Sequence, residues 1–171
     1  RYYIKSVVST ISELKRGLVT PADLIALAEA NTAAIAAVSP AINDIYGSVA
    51  RMPKLADALP LFTRILLVLQ KHDLPLCAMA ADELSKALQA AVVTGKTNSL
   101  TQFKKDWLYK NENAKWELDG QEAAEKMRSL ATVYTRYQNA LQKQSLYDFD
   151  DMILRTLEAL ESHKDLLYTL Q

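Results

Sequence analysis

Three aspartates lie within four positions near the C-terminal end of the sequence, in the stretch "LYDFDDMI". Their carboxylates could bind a metal ion, form a catalytic pair, or begin a helix. Asp148 suits the N-cap of a helix, Asp151 suits the third helical position, and Asp150 lies near the positive end of the helix dipole. A calcium loop would need a glycine and a late glutamate at fixed spacing, and the nearest histidine, His163, is more than three helical turns away. We therefore interpret these carboxylates as the start of a helix and predict no metal site.

Apolar residues follow the aspartates at helical spacing. We predict that they form the buried stripe of that helix: Phe149, Met152, Ile153, Leu157 and Leu160. A final helix is predicted from about His163.

The tripeptide "GKT" at Gly95–Thr97 resembles the end of a phosphate-binding loop. The full pattern needs a glycine five positions earlier, where this chain has Ala90, and a strand before the loop. The preceding residues have the pattern of an amphipathic helix instead. We interpret Gly95 as the residue that ends this helix and predict no phosphate loop.

Lysines and aromatic residues alternate in "FKKDWLYKNENAKWEL", which holds both tryptophans of the chain. The lysines are Lys104, Lys105, Lys110 and Lys115, and the aromatic residues are Phe103, Trp107, Tyr109 and Trp116. Cationic side chains can bind a nucleic-acid backbone and aromatic rings can stack on bases. In the alternative interpretation, Phe103, Trp107 and Leu108 face the core and the lysines face solvent. Both interpretations remain open at the level of sequence.

The remaining reactive residue types are isolated. His72 and His163 have no cysteine or serine partner at a recognisable spacing, so the sequence supports neither a zinc site nor a catalytic triad. Cys77, the single cysteine, suits the core of a protein in a reducing compartment. No catalytic residue is predicted.

Helices must position these residues. The first is predicted from about Tyr3 to Lys15, with the basic Lys15 and Arg16 at its C-terminal end and Gly17 after it. The second helix is predicted from the N-cap Thr20 to about Ala30, and Ser39-Pro40, Pro53 and Pro60 are predicted to interrupt helical structure after it. Next come a helix "LFTRILLVLQKH" that is buried almost all round and an amphipathic helix "LCAMAADELSKALQAAVV". The last predicted elements are a short helix capped by Ser99, a polar loop at Asn111–Gly120 and a long helix at Gln121–Gln144.

Composition agrees with this helical pattern. The 171 residues are 50% hydrophobic and 23% charged, with only 4 glycines and 5 prolines. We predict an all-α fold, a bundle-like single domain over residues 1–171. The formal net charge of zero gives no global attraction to nucleic acid, so any such binding needs a local basic patch. The longest apolar run is too short to cross a bilayer, and we expect a cytoplasmic protein without a membrane partner.

Two stretches resemble the UvrD/Rep-type superfamily 1 DNA helicases. "ISELKRGLVTPADL" is similar to the stretch where an "I-S-x-x-K" helix leads into a "T/S-P" turn. "VYTRYQNALQKQSLYDFDDMI" is similar to a second signature of that family, here Tyr134, Tyr137, Gln138, Leu141 and Tyr147 through Ile153. In such helicases these segments bracket subdomain 1B, a helical insertion in the first RecA-like ATPase domain.

The resemblance implies the remaining expectations. The whole protein would use ATP and Mg²⁺ to move 3′ to 5′ along single-stranded DNA and to unwind duplexes. This chain, which begins at Arg1 and ends within a helical pattern, would be a piece of it without Walker A and Walker B motifs, holding no cofactor and inactive alone. Residues 31–120 would be an enlarged insertion without a clear family match, and residues 145–171 a segment returning to the ATPase core.

The expected partners are single-stranded or junction DNA and the remaining helicase domains. The residues predicted to face DNA are Lys104, Lys105, Trp107, Tyr109, Lys110, Lys115 and Trp116, with Lys15 and Arg16 as a second group. Tyr147, Asp148, Phe149, Asp150 and Asp151 are predicted to be a structural signature. The alternative function is a helical protein-interaction module without direct DNA contact.

Overall fold

The computed structural model describes residues 2–163, with side chains described from Ile4 onward. Seven helices and one two-stranded sheet occupy this range, which confirms the all-α prediction. The elements are α1 (Tyr2–Arg16), α2 (Pro21–Tyr46), α3 (Leu55–Gln70), α4 (Pro75–Thr94), α5 (Asn98–Trp107), β1 (Leu108–Lys110), β2 (Trp116–Leu118), α6 (Gln121–Lys143) and α7 (Phe149–Ser162). The helix predicted from about His163 lies outside the described residues.

The chain divides into two compact units. The central unit is Ala26–Lys126, and the terminal unit comprises Arg1–Ile25 and Met127–Gln171. The boundaries of the central unit lie within six residues of the predicted insertion, residues 31–120.

The core of the central unit is built from α2, α3, α4, α5 and the hairpin. In α3 the residues Ala58, Phe62, Ile65 and Leu69 are buried at helical spacing. The prediction that this helix is buried almost all round is wrong, because Leu67 is 54% exposed and only one stripe faces the core. The prediction that Pro60 interrupts the chain is also wrong, since it lies inside α3.

The predicted break at Ser39-Pro40 does not occur. α2 runs without interruption to Tyr46 and holds Pro40 in its interior. Val38, Ile42 and Tyr46 lie on one stripe of α2 and are fully buried. Burying such side chains contributes about 1.5–3 kcal/mol each, which together exceeds the roughly 3 kcal/mol cost of an interior proline.

α2 is also long and apolar enough, by length and composition, to cross a membrane. An 18-residue window of this helix has a mean hydropathy of 1.4, and 39% of the window is buried. The longest continuous apolar run of the sequence is too short to cross a bilayer, whereas α2 as a whole helix passes this test of length and mean hydropathy. Its buried stripe in the central unit accounts for its apolar composition, and the absence of a membrane partner stays a prediction.

A β-hairpin replaces much of the predicted polar loop. β1 pairs with β2 in antiparallel register, with Leu108 opposite Leu118 and Lys110 opposite Trp116. The Asn111 side chain organises the turn, because its Oδ1 accepts hydrogen bonds from the backbone N–H groups of Asn113 (2.9 Å) and Lys115 (3.0 Å). The loop prediction missed this strand because Trp116 and Leu118 are two buried positions within a polar stretch.

Side chains of α2 close the outer edge of β2. The backbone N–H of Trp116 donates to Asn43 Oδ1 at 3.1 Å, and that of Leu118 donates to Ser39 Oγ at 3.2 Å. These bonds satisfy two donors that an unpaired edge strand would leave free. They also explain why Ser39, a polar residue, is buried.

The terminal unit has a smaller core, which consists of Ile11, Leu24, Ala131 and Tyr134. The bounds of α6 were predicted correctly to within one residue, and its Ala131 and Tyr134 side chains are fully or almost fully buried. On α1 the apolar residues Ile4 (65%) and Val8 (42%) are exposed.

Several predicted helix ends can be compared with the structure. Thr20 caps α2 as predicted, and it does so together with Asp23: Thr20 N–H donates to Asp23 Oδ2 at 2.8 Å, and Asp23 N–H donates to the Thr20 hydroxyl oxygen at 3.2 Å. Gly95 adopts a left-handed conformation with φ 67° and ends α4, as predicted. Ser99 does not cap α5, because its hydroxyl donates to the Ala87 carbonyl at 2.7 Å.

The end of α1 differs from the prediction. The left-handed residue there is Leu18, with φ 58°, rather than Gly17. Leu18 N–H donates to the Lys15 carbonyl and Val19 N–H to the Leu14 carbonyl, each at 2.9 Å. This pair of bonds is a Schellman motif, which satisfies the last carbonyls of α1 and fixes the direction of the chain beyond Lys15.

Candidate functional site

The aspartates begin α7, as predicted. Asp148 is the N-cap, and its side chain accepts a hydrogen bond from Asp151 N–H at 2.8 Å. The Asp151 side chain accepts from Asp148 N–H at 3.4 Å, which completes a capping box. The first turn of α7 therefore has two of its free backbone donors satisfied by these carboxylates.

Lys15 bridges the two capping carboxylates. Its Nζ lies 2.6 Å from Asp148 Oδ2 and 2.6 Å from Asp151 Oδ1, and its side chain is fully buried. The Tyr137 hydroxyl donates to Asp148 Oδ2 at 3.0 Å, and the Lys15 Nζ lies 5.3 Å from the centre of the Tyr137 ring. The cluster thus joins the end of α1, the middle of α6 and the start of α7.

Asp150 makes a second connection between α1 and α7. It is 8% exposed, accepts a hydrogen bond from the Ser12 hydroxyl, and pairs with Arg16, whose Nε lies 3.2 Å from Oδ1. The Arg16 side chain itself is 68% exposed. Ser12, Lys15 and Arg16 lie at positions i, i+3 and i+4 of α1, so they share the face that receives the aspartates.

The electrostatics of this cluster favour the charged forms. Burial alone would lower the pKa of Lys15, but hydrogen bonds to Asp148 and Asp151 outweigh it and raise that pKa above its usual value. Burial would raise the pKa of Asp148, yet the bonds from Lys15, from the Asp151 backbone and from Tyr137 lower it overall. The hydrogen bond from Ser12 lowers the pKa of Asp150. All three groups are therefore ionised at neutral pH.

The cluster has the properties of a structural site. Protein donors occupy the aspartate oxygens, and residues 2–163 contain no group of three or more histidine, cysteine or acidic side chains placed to hold a metal ion. Lys15 was predicted to face DNA, but its ammonium group is enclosed and could reach a phosphate only if the cluster opened. DNA contact by Lys15 and Arg16 stays a prediction.

The predicted buried stripe of α7 is wrong. Phe149 (71%), Met152 (53%), Ile153 (45%) and Leu157 (47%) are all exposed. The residue that is buried instead is Asp150, because α7 meets α1 through its polar side. Tyr147, the first residue of the structural signature, is 50% exposed and lies under the Arg155 guanidinium, whose central carbon is 4.3 Å from the ring centre.

The lysine-rich and aromatic stretch forms α5 and the hairpin of the central unit. Phe103 (4%), Leu108 (4%) and Trp116 (8%) are buried, and Trp107 is half-buried. The alternative interpretation, in which Phe103, Trp107 and Leu108 face the core, is therefore correct for Phe103 and Leu108 and partly correct for Trp107. Trp116, which was predicted to face DNA, is also a core residue.

Trp116 belongs to a connected group of aromatic rings. Its ring centre lies 5.2 Å from that of Tyr46, at a near-perpendicular angle of 89°. Tyr46 contacts Phe62 at 5.7 Å, and Phe62 contacts Phe103 at 6.3 Å, both edge to face. These contacts fix Trp116 within the core and leave little of its surface for a ligand. Tyr46 was not singled out in the sequence, because it lies far from the other rings along the chain.

Two lysines stand over this aromatic group. Lys104 Nζ lies 4.7 Å from the centre of the Trp116 ring and 5.5 Å from that of Tyr46, and Lys110 Nζ lies 5.2 Å from the Trp116 ring. Lys105 and Lys115 are exposed nearby in sequence. Within the described part of the chain, none of these four lysines forms an ion pair with a carboxylate.

The carboxylate of Glu117 in β2 accepts hydrogen bonds on the other face of the hairpin. The Tyr109 hydroxyl donates to Glu117 Oε2 at 2.7 Å, and Asn111 Nδ2 donates to Glu117 Oε1 at 2.5 Å. The bond to the Glu117 carboxylate raises the pKa of Tyr109 to about 12. Because side chains alternate along a strand, Tyr109 and Glu117 lie opposite the face that carries Lys110 and Trp116.

Comparison with known proteins defines the class. A family model for the UvrD/REP helicase N-terminal domain matches residues 54–171, more than two thirds of the chain. The chain therefore belongs to the UvrD/REP helicase family. The matched range includes the "YDFDDMI" signature and most of the central unit, but not the stretch Ile11–Leu24.

No curated protein and no solved structure matches the chain. The assignment to subdomain 1B accordingly stays a prediction.

Proposed function

We propose that this chain is part of an ATP-dependent DNA helicase that moves 3′ to 5′ along single-stranded DNA and separates duplexes. Membership of the UvrD/REP family supports this proposal. ATP and Mg²⁺ would bind in parts of the protein that carry Walker A and Walker B motifs. We expect no ATP hydrolysis by this chain alone, and we expect the whole helicase to act in the cytoplasm with its remaining domains as partners.

Within the chain, we propose that the DNA contact is a lysine face, defined as Lys104, Lys105, Lys110 and Lys115. The observation that carries this proposal is that four cations from α5 and the hairpin lack carboxylate partners among the described residues. A chain with no net charge needs such a local patch to attract phosphate. In a 1B-like position, this face would line the DNA channel or brace the duplex near the junction.

A salt titration tests the lysine face. The chain is mixed with a fluorescent single-stranded oligonucleotide, and affinity is measured as salt increases. Each phosphate contact on single strands contributes about 0.7 to the slope of log affinity against log salt. The double variant Lys104→Ala/Lys110→Ala should lower the slope by about 1.4 and weaken binding at low salt about tenfold.

Lys86→Ala/Lys126→Ala is the matched control, because it removes the same charge. Lys86 pairs with Asp82 and Glu83, and Lys126 pairs with Glu122, all on exposed helix surfaces. The control should leave the slope unchanged. No binding by the unaltered chain at low salt, or equal losses in both variants, would contradict the proposal.

The exposed apolar residues of α7 favour a second candidate, a helical protein-interaction module. Under this alternative the chain would bind another protein or helicase domain and would have no direct contact with DNA. The same titration separates the two candidates, since only the first requires affinity for the oligonucleotide that falls with salt.

A further inference from the structure

Two positive charges in the central unit face the same aromatic ring. The Lys104 and Lys110 ammonium groups lie 4.7 Å and 5.2 Å from the centre of the Trp116 ring. They can be no further apart than the sum of these distances, about 10 Å, which is one Debye length at 0.1 M salt. Like charges this close repel each other, and no carboxylate in the described residues pairs with either. The pair is therefore suited to an external anion.

The fold fixes the ring beneath these lysines. Trp116 is 8% exposed, its backbone N–H donates to Asn43, and its ring packs edge to face with Tyr46. Lys110 stands directly opposite Trp116 in the hairpin register, and Lys104 reaches the same ring from α5. Attraction between an ammonium group and the face of an aromatic ring holds each lysine near one position.

The same geometry argues against base stacking on Trp116. A base needs an open ring face, whereas this ring is buried and has lysines over it. One strand of a duplex carries a phosphate about every 3.4 Å along the helix axis, and the phosphates of an extended unpaired strand lie further apart than this. Two ammonium groups up to about 10 Å apart can therefore contact more than one phosphate of one strand.

We infer that Trp116 is a positioning residue: it holds Lys104 and Lys110 in place to bind neighbouring phosphates of one nucleic-acid strand, and the site recognises the backbone rather than the bases. This inference rests on the proposed DNA contact. Holding the lysines in place before binding reduces the conformational entropy that they lose when DNA binds.

The first test compares two probes with the unaltered chain. One probe is a thymidine oligonucleotide of about 12 nucleotides and the other is an abasic strand with the same number of phosphates. The two affinities should agree within about threefold, with equal salt slopes. An abasic strand that binds about tenfold or more weakly would overturn the inference, because it would show that stacked bases supply the affinity.

The second test substitutes the ring. Trp116→Phe keeps an aromatic face and should bind the thymidine strand within about twofold of the unaltered chain, whereas Trp116→Leu should bind about fivefold more weakly. Both variants are checked for helical circular dichroism first. Equal binding by the two folded variants would overturn the positioning role.

A double-mutant cycle separates positioning from a general loss of structure. In the Lys104→Ala/Lys110→Ala background, Trp116→Phe and Trp116→Leu should bind equally, because no ammonium group remains to be held. The inference would be contradicted if the affinities of Trp116→Phe and Trp116→Leu for DNA differed by the same factor with and without the two lysines. If Trp116→Leu does not fold, Trp116→Met takes its place in the cycle, and the probe comparison needs no variant at all.

The outcomes also separate this inference from the proposed function. No binding of either strand at low salt overturns both. Salt-dependent binding that needs Lys104 and Lys110, combined with equal binding by the Trp116 variants, overturns the positioning role and leaves the lysine face standing.

Discussion

The terminal unit and the central unit use lysine in opposite ways. In the terminal unit, Lys15 is fully buried and lies 2.6 Å from each of two aspartates. In the central unit, Lys104 and Lys110 stand over Trp116 and pair with no described carboxylate. A lysine whose charge is neutralised by carboxylates within the protein stabilises the fold. A lysine that contacts only an aromatic ring can still bind an external anion.

Removing the buried ammonium group should have the largest effect on stability. Lys15→Ala leaves Asp148 and Asp151 close together without their shared cation, and breaking a buried ion pair from one side costs about 3–5 kcal/mol. The two carboxylates are 24% and 20% exposed, so we expect a loss of about 3 kcal/mol in the free energy of unfolding of the terminal unit. Urea denaturation followed by circular dichroism measures it.

Lys86→Ala is the control for this substitution, because it removes a lysine with two carboxylate partners at an exposed position. Its cost should be much smaller than that of Lys15→Ala, because solvent screens an exposed ion pair. Similar losses in the free energy of unfolding for the two variants would show that burial of Lys15 is not the reason why its ion pairs stabilise the fold.

The second largest expected effect is a loss of stability of the terminal unit in acid. The pKa values of Asp148 and Asp150 are lower in the folded chain than the ordinary 3.8, because of hydrogen bonds from Lys15 and Ser12. A carboxyl with a lowered folded pKa contributes stability above its unfolded pKa and loses it as the pH falls through the folded value. Stability should therefore be level from pH 7 to about 5 and should fall below about pH 4.

Asp150→Asn should flatten this acid dependence, because asparagine does not titrate. The stability that the unaltered chain loses in acid should be smaller than the stability lost in Lys15→Ala, since protonated aspartates still accept hydrogen bonds from the ammonium group. Unfolding measured at several pH values in both proteins tests this, and an unchanged profile in Asp150→Asn would count against the assigned role of Asp150.

A smaller effect is expected where α2 supports the hairpin. Asn43→Ala removes the acceptor of the Trp116 N–H and should cost the central unit about 1–2 kcal/mol. The neighbouring Asp44→Ala, at an exposed position of the same helix, should be nearly neutral. Hydrogen exchange of the Trp116 amide is the measurement, and equal exchange rates in the two variants would argue that Asn43 does not hold β2.

The sequence predicted local features better than distant ones. The cap formed by Asp148 and Asp151 was predictable because both partners lie within one helical turn. Their contact with Lys15 spans more than 130 positions, and no local pattern connects them. The signal that could have suggested it is the spacing of Ser12, Lys15 and Arg16, which presents three hydrogen-bond donors on one helix face.

The wrong predictions also have physical causes. Pro40 stays inside α2 because the buried stripe around it outweighs one lost hydrogen bond. Periodicity alone predicts that the apolar residues of α7 lie in the core, but the helix meets α1 through Asp150. The polar sequence around Trp116 predicts an exposed residue, but Tyr46 and Asn43 of α2, which lies far away in sequence, fix it within the core.

Amine labelling in the presence and absence of single-stranded DNA tests the contrast between the two kinds of lysine most directly. The chain is treated with an amine-reactive reagent at low salt, and labelling of each lysine is read by mass spectrometry. We predict that Lys15 labels slowly in both conditions, that Lys86 labels equally in both, and that DNA protects Lys104 and Lys110. Labelling of Lys15 as fast as Lys86, or of Lys104 and Lys110 at rates that DNA does not change, would contradict this account.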